Sequence, residues 1–145
     1  MNRYVICGIP GTGKTTLSKM LSEKYDLQYI SDWHLLENTK LEFKKIIEFV
    51  NNNQNFVLDL DYRNYKKILD FSSINNLEVV YLIFDSSLSL ELLKKVFKNE
   101  KSDEEIKNYI ELSLKYKLFC TNNNSKYYEI NKNRDTLLKN ILKSL

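Results

Sequence analysis

Short apolar runs alternate with amphipathic stretches along the chain. Tyr4, Val5, Ile6 and Cys7 form an apolar run of strand length. Thr15 to Lys24 follows, with Leu17, Met20 and Leu21 on one helical face. Leu27 to Ser31 (Leu-Gln-Tyr-Ile-Ser) predicts a second strand, ending at Asp32-Trp33-His34. From there to about Val50, the positions Leu35, Leu36, Phe43, Ile46, Ile47 and Val50 predict a long amphipathic helix, which Asn51 to Asn55 breaks. Phe56 to Asp61 reads as a strand that is apolar and then acidic, and Asn64 to Phe71 as a short helix. Leu77 to Phe84 is the strongest strand pattern, closed by Asp85. Leu88 to Lys98 predicts a helix with Leu92, Leu93, Val96 and Phe97 inward. Ser102-Asp103-Glu104-Glu105 has the form of a capping box. The helix it starts carries Ile106, Tyr109, Ile110 and Leu114 on one face. Lys126 to Asn131 predicts a last strand, and Asp135 to Leu145 a closing helix with Leu138, Ile141, Leu142 and Leu145.

Strands alternating with helices in this way predict an α/β fold: a three-layer sandwich in which a five-stranded parallel sheet has helices on both faces. Right-handed crossovers bring the carboxyl ends of the strands to one edge. At 145 residues the chain is expected to form one domain, residues 1–145.

The first strand and helix are joined by Gly8-Ile-Pro-Gly-Thr-Gly-Lys-Thr-Thr16, which fits G-x-x-x-x-G-K-[ST], the phosphate-binding P-loop, in the strand–loop–helix context that motif requires. The fold expected is therefore that of the P-loop NTPases. All 3 glycines of the chain, Gly8, Gly11 and Gly13, lie in this loop. They let the backbone turn tightly, so that its N–H groups, including those at Thr12 and Thr16, and the helix N-terminus face an anion. Lys14 can reach the outer phosphates, and the Thr15 hydroxyl can ligate Mg²⁺. The motif implies a nucleoside triphosphate, ATP with Mg²⁺, and leaves the reaction open.

The acidic end of the third strand resembles a Walker B pattern. Asp59 and Asp61 lie two apart and share a strand face. Either suits the metal, with Asp61 preferred as nearer the strand end. Asp32, at the end of the second strand and so at the carboxyl edge of the sheet, is a candidate general base for an acceptor hydroxyl, in preference to a mere cap of the following helix.

Composition narrows little else. Hydrophobic residues are 43% and charged residues 28%, an ordinary soluble balance. A formal net charge of +3 suits phosphate ligands without arguing for nucleic acid. Cys7 and Cys120 lack CxxC spacing and suggest free thiols in a reducing compartment. With no signal segment or long apolar stretch, a cytoplasmic protein with no membrane contact is expected.

Some P-loop classes fit poorly. No Asn-Lys-x-Asp guanine motif follows a later strand, and the chain is too short for a motor ATPase with a helical lid domain. The form Gly-x-Pro-Gly-x-Gly-Lys-Thr-Thr with an acidic residue after the second strand resembles the small P-loop kinases. Within them the chain most resembles the bacteriophage polynucleotide 5′-kinases and their small-molecule relatives. The matching stretches are Gly8–Thr16, Tyr29-x-x-Asp32, Val57–Lys67, Val80–Lys95 and Ser102–Leu114. That resemblance implies a kinase with Lys14 and Asp32 as catalytic residues. It implies an acceptor that is a nucleic-acid 5′-end or a small molecule, and adenine held by the loop Asn131 to Arg134, with Arg134 stacking on the base or lying at the surface. Such kinases usually carry lid arginines. Here Asp85 to Phe119 contains none, leaving Lys94, Lys95, Lys98 and Lys101, or Arg63 and Arg134 from outside the lid. Trp33 could stack on an acceptor, and Arg63 could bind an acceptor phosphate. The rival expectations are a nucleoside or nucleoside-monophosphate kinase, and a slow-turnover nucleotide-binding switch or assembly protein. Oligomeric state is left open by the sequence.

Overall fold

The structure is a computed structural model that describes residues 2–31 and 43–145. In chain order the elements are β1 (Arg3–Gly8), α1 (Lys14–Tyr25), β2 (Gln28–Ser31), α2 (Phe43–Asn52), β3 (Phe56–Asp61), α3 (Tyr65–Asn75), β4 (Glu78–Phe84), α4 (Leu90–Val96), α5 (Asp103–Asn122), β5 (Lys126–Ile130) and α6 (Arg134–Ser144). A single 3₁₀ turn, Tyr62–Asn64, joins β3 to α3. The 5 strands form one sheet in the order β2-β3-β1-β4-β5. Every pairing is parallel.

The sheet is buried on both faces, which is why its inner strands read as continuous apolar runs. Alternate residues of β1 serve opposite layers. Val5 and Cys7 join Ile46, Val50, Leu58, Leu60, Ile68, Leu93, Ile106 and Tyr116 on one face, beneath α2 to α5. Tyr4 and Ile6 join Leu17, Leu21, Val57, Leu82, Leu138 and Ile141 on the other, beneath α1 and α6. β1, at the centre, packs against both layers and delivers its carboxyl end to the middle of the sheet edge.

Element types agree with the sequence expectation, and the differences have physical causes. The expected break at Asn51 does not occur there: α2 continues through Asn52. The Asn53 side-chain amide donates to the Phe49 carbonyl at 2.7 Å, which satisfies one of the last helix carbonyls and stops the helix just past the asparagine pair. The helical periodicity proposed for residues 32–42 lies outside the described residues. Leu92 and Val96, expected inward, are exposed. α4 is only 7 residues long, and it meets the core through a fully buried Leu93 and a partly buried Leu90. Leu114 is exposed as well, because α5 presents Ile106, Ser113, Tyr116 and Cys120 to the sheet instead. Its start is as read: the Ser102 hydroxyl accepts from the Glu105 N–H at 3.2 Å. No helix of the described residues is long and apolar enough to cross a membrane.

Candidate functional site

The loop between β1 and α1 is shaped by its glycines and by two hydrogen bonds. Gly8 is level with Asp61 of β3 and Leu82 of β4. A Cβ at Gly8 would stand 2.7 Å from the Leu82 carbonyl oxygen, so only glycine lets β1 leave the sheet so close to β4. The Ile9 carbonyl then accepts from the Thr12 hydroxyl at 2.7 Å and from the Thr12 N–H at 3.3 Å. Thr12 is fully buried, so its side chain closes the loop rather than facing a ligand. Gly11 and Gly13 have φ values of +87° and +96°. These lie in the left-handed region that favours glycine. Gly13 is the N-cap of α1 and, having no side chain, caps nothing. The first N–H groups of the helix, at Lys14, Thr15 and Thr16, are therefore left without a side-chain acceptor at its positive end. That is an anion-binding arrangement.

Asp59 is the centre of the charged cluster. Its carboxylate is nearly buried, the residue being 3% exposed. One oxygen accepts from Lys14 Nζ at 3.2 Å. The other accepts from the Thr15 hydroxyl at 2.6 Å and from the Tyr29 hydroxyl at 3.1 Å. Of the two strand-end aspartates, Asp59 is the one in contact with Thr15. Asp61 accepts from its own near neighbour instead: Arg63 Nε at 2.8 Å, Arg63 Nη2 at 3.2 Å and the Arg63 backbone N–H at 2.8 Å. The 3₁₀ turn after β3 folds Arg63 back onto Asp61, so this pair forms locally and apart from Thr15. Tyr62, between them, has its phenol pKa pushed up, first by burial and then by the Asp61 charge, with Arg63 opposing.

Among the described residues no three His, Cys, Asp or Glu side chains gather as a metal site. Thr15 and Asp59 nevertheless suit Mg²⁺. They are hard oxygen donors already in contact at the start of the anion-binding helix, and Mg²⁺ characteristically takes one or two protein oxygens, with phosphates and water completing its shell.

A pocket of about 350 Å³ opens beside Gly11, walled by Phe84, Leu88, Val96, Ile130 and the segment Asn131 to Thr136. It lies where the sequence expectation put the base. Arg134 is on its wall and donates through Nη1 to the Gly11 carbonyl at 3.0 Å. In the lid region, Lys94 pairs with Asp103 at 2.7 Å and Lys101 with Glu105 at 3.7 Å. Among the described residues Lys95 and Lys98 form no ion pair. Thus Lys14, Thr15 and Asp59 come together, Gly11 and Arg134 come together, and Asp61 stands with Arg63. Asp32, Trp33 and His34 lie outside the described residues; Ser31, which precedes Asp32, is level with Asp59.

Two contributors escaped the sequence reading. In the sequence Tyr29 is only part of a stretch matching the small kinases, yet β2 lies next to β3 and its hydroxyl reaches Asp59. Parallel pairing of two strands far apart in sequence creates that contact, and no local pattern signals it. Phe97 fits the inward face of a helix by spacing. Its ring lies where a Cβ at Gly11 would meet it at 2.7 Å.

No protein-family model matches the chain. No curated protein matches it either. Solved structures do match. Shikimate kinase from Bacteroides thetaiotaomicron superposes with a TM-score of 0.70 at 16% identity, over 99% of this chain and 95% of that one. The YorR protein of Bacillus subtilis, in complex with phosphorylated GDP, gives 0.65 at 20% identity, over 97% and 94%. Deoxyadenosine kinase from M. mycoides with bound dATP gives 0.57 at 18% identity, over 98% of each chain. The five-stranded parallel sheet with its P-loop is thus the fold of P-loop kinases. These neighbours lend no support to the polynucleotide branch of the resemblance in particular.

Proposed function

We propose that the protein is an ATP- and Mg²⁺-dependent phosphotransferase that moves the γ-phosphate to a hydroxyl of a small molecule, a nucleoside in the first instance. The observation that carries this reading is the contact of Lys14 and Thr15 with a nearly buried Asp59 at the start of an uncapped helix. In this reading the loop N–H groups and Lys14 hold the phosphates. Lys14 exchanges its bond to Asp59 for phosphate oxygens when the nucleotide arrives. Thr15 and Asp59 hold the metal, which supplies neutralisation of phosphate charge. Tyr29 keeps the Asp59 carboxylate oriented. Asp32 accepts the proton of the attacking hydroxyl. The pocket at Asn131–Arg134 takes the adenine.

A small acceptor is favoured over a nucleic-acid 5′-end for two reasons. The structural neighbours include kinases named for shikimate and deoxyadenosine. The cations that could track a polynucleotide backbone near the acidic strand are also engaged elsewhere. Arg63 is folded onto Asp61. Lys66 lies over the Phe119 ring at 5.1 Å and Lys67 over the Phe43 ring at 5.8 Å. A polynucleotide groove needs a row of lysines and arginines offered to phosphates.

The test is transfer of label from γ-labelled ATP with Mg²⁺. Nucleosides, nucleoside monophosphates, hydroxy acids and 5′-hydroxyl oligonucleotides are offered in parallel, with Lys14→Ala and Asp32→Asn as controls. Label on a nucleoside that is lost in both variants is the expected result. Label on the oligonucleotide alone would return the acceptor to the polynucleotide class. Transfer to nothing, with ATP still bound, would leave a nucleotide-binding switch as the better account.

A further inference from the structure

Gly11 is at the turn of the phosphate loop, and its carbonyl oxygen faces away from Ile9 toward α6. Arg134, the first residue of that helix, donates to it through Nη1 at 3.0 Å. The same side chain runs past Gly13: a Cβ there would stand 3.4 Å from Arg134 Cδ and 2.7 Å from Leu138 Cδ1. On the other flank the Phe97 ring closes on Gly11. The Gly11 carbonyl and the Thr12 N–H belong to one planar peptide. The first is held by Arg134 and the second by the Ile9 carbonyl at 3.3 Å. A peptide bonded at both ends resists rotation, which the freedom of Gly11 would otherwise allow. Arg134 also stands on the wall of the neighbouring pocket.

We infer that Arg134 is a positioning residue of the phosphate loop: by donating to the Gly11 carbonyl it holds the loop in its anion-binding shape, so triphosphate binding depends on Arg134 even when the ligand has no base. The competing role is the one expected from the sequence, stacking on adenine, in which only the base would feel the arginine. The inference rests on the reading of this loop as a triphosphate site.

The two roles separate on a ligand without a base. The full chain, as wild type, Arg134→Ala and Arg134→Lys, is titrated by calorimetry with Mg²⁺-tripolyphosphate and with Mg²⁺-ATP, and the melting temperature of each variant is recorded. Arg134→Ala is expected to weaken both ligands by the same factor, about tenfold for one charge-assisted bond. Arg134→Lys keeps the charge but not the planar fork, and should recover only part of the loss, equally for both. Weakening of ATP alone overturns the inference, as does an unchanged affinity for both. Full recovery in Arg134→Lys would assign the effect to charge and overturn it too. If Arg134→Ala does not fold, Arg134→Lys decides by the same comparison: an equal partial loss supports the inference, and a loss for ATP alone or no loss refutes it. A wild-type protein that binds neither ligand fails at the triphosphate site itself, and the inference falls with it. Binding that disappears in Lys14→Ala shows that the site is sound whatever Arg134 does.

Discussion

Replacing Asp59 by asparagine separates the two strand-end aspartates more sharply than any other change. The Asp59 carboxylate accepts three bonds, from Lys14, Thr15 and Tyr29, while only 3% exposed. Bonds to a charged acceptor contribute about 1.5–3 kcal/mol each and do not add. Asparagine keeps one acceptor oxygen but turns an NH₂ toward donors. Lys14 is 22% exposed and can carry its charge to water, which lessens the loss. Asp59→Asn should therefore destabilise the ligand-free protein by about 2–4 kcal/mol. Asp61 pairs with an Arg63 side chain that is 59% exposed, so Asp61→Asn should cost about 0–1 kcal/mol. Urea unfolding of the two variants measures the difference. Calorimetry with ATP supplies a second sign. Removing the Asp59 charge releases Lys14 and takes a negative charge from beside the phosphates, so Mg²⁺-free ATP should bind as well as before or better. The extra affinity conferred by Mg²⁺ should largely vanish. Combining Asp59→Asn with Tyr29→Phe should cost less than the sum of the two, since they share a bond. If Asp59→Asn keeps its Mg²⁺ dependence while Asp61→Asn loses it, the metal role belongs to Asp61 and not to Asp59.

Two further expectations follow from packing and titration. Gly8→Ala would set a Cβ 2.7 Å from the Leu82 carbonyl oxygen and 3.2 Å from its nitrogen; because backbone rather than a flexible side chain must yield, unfolding should show a loss of about 1–3 kcal/mol, and an unchanged thermal melt would contradict the close β1–β4 approach. Tyr4, Tyr62 and Tyr116 each have a pKa raised above 10.0, burial being the largest cause. A raised folded-state pKa means that the folded protein holds protons the unfolded chain has lost. Stability is thus fully present below pH 10 and falls as pH rises through the folded values. Melting temperature followed together with phenolate absorbance should decline only in that alkaline range; a decline beginning near neutrality would point to other groups.

Local pattern carried a great deal of this protein. Continuous apolar runs announced buried parallel strands, and 3.6-residue spacing announced the helices between them. The glycine-rich loop with Lys14 and Thr15 was legible because its chemistry is written in consecutive residues: positive φ at Gly11 and Gly13, an uncapped helix start, and a lysine and hydroxyl immediately inside it. The Ser102 cap was legible for the same reason. Helix faces were less so. Leu114 fits the apolar stripe of α5 by spacing, but the angle at which the helix meets the sheet selected Ser113 and Tyr116 instead.

Whatever depends on residues distant in sequence was decided by tertiary structure. Locally Asp59 and Asp61 differ only in that Asp61 is nearer the strand end; both are acidic and on one strand face. The parallel register of β3 with β1 and β2 put Asp59 beside Lys14, Thr15 and Tyr29, while the 3₁₀ turn gave Asp61 to Arg63. Arg134 reaches Gly11 only because α6 packs on the same face of the sheet as α1. The sequence by itself determined the elements and the tight glycine turn between β1 and α1, since these follow from backbone propensity and burial within a few consecutive residues. The partners of each charged side chain were settled by strand order and helix docking, since a contact across the fold exists only once the whole sheet has closed its layers.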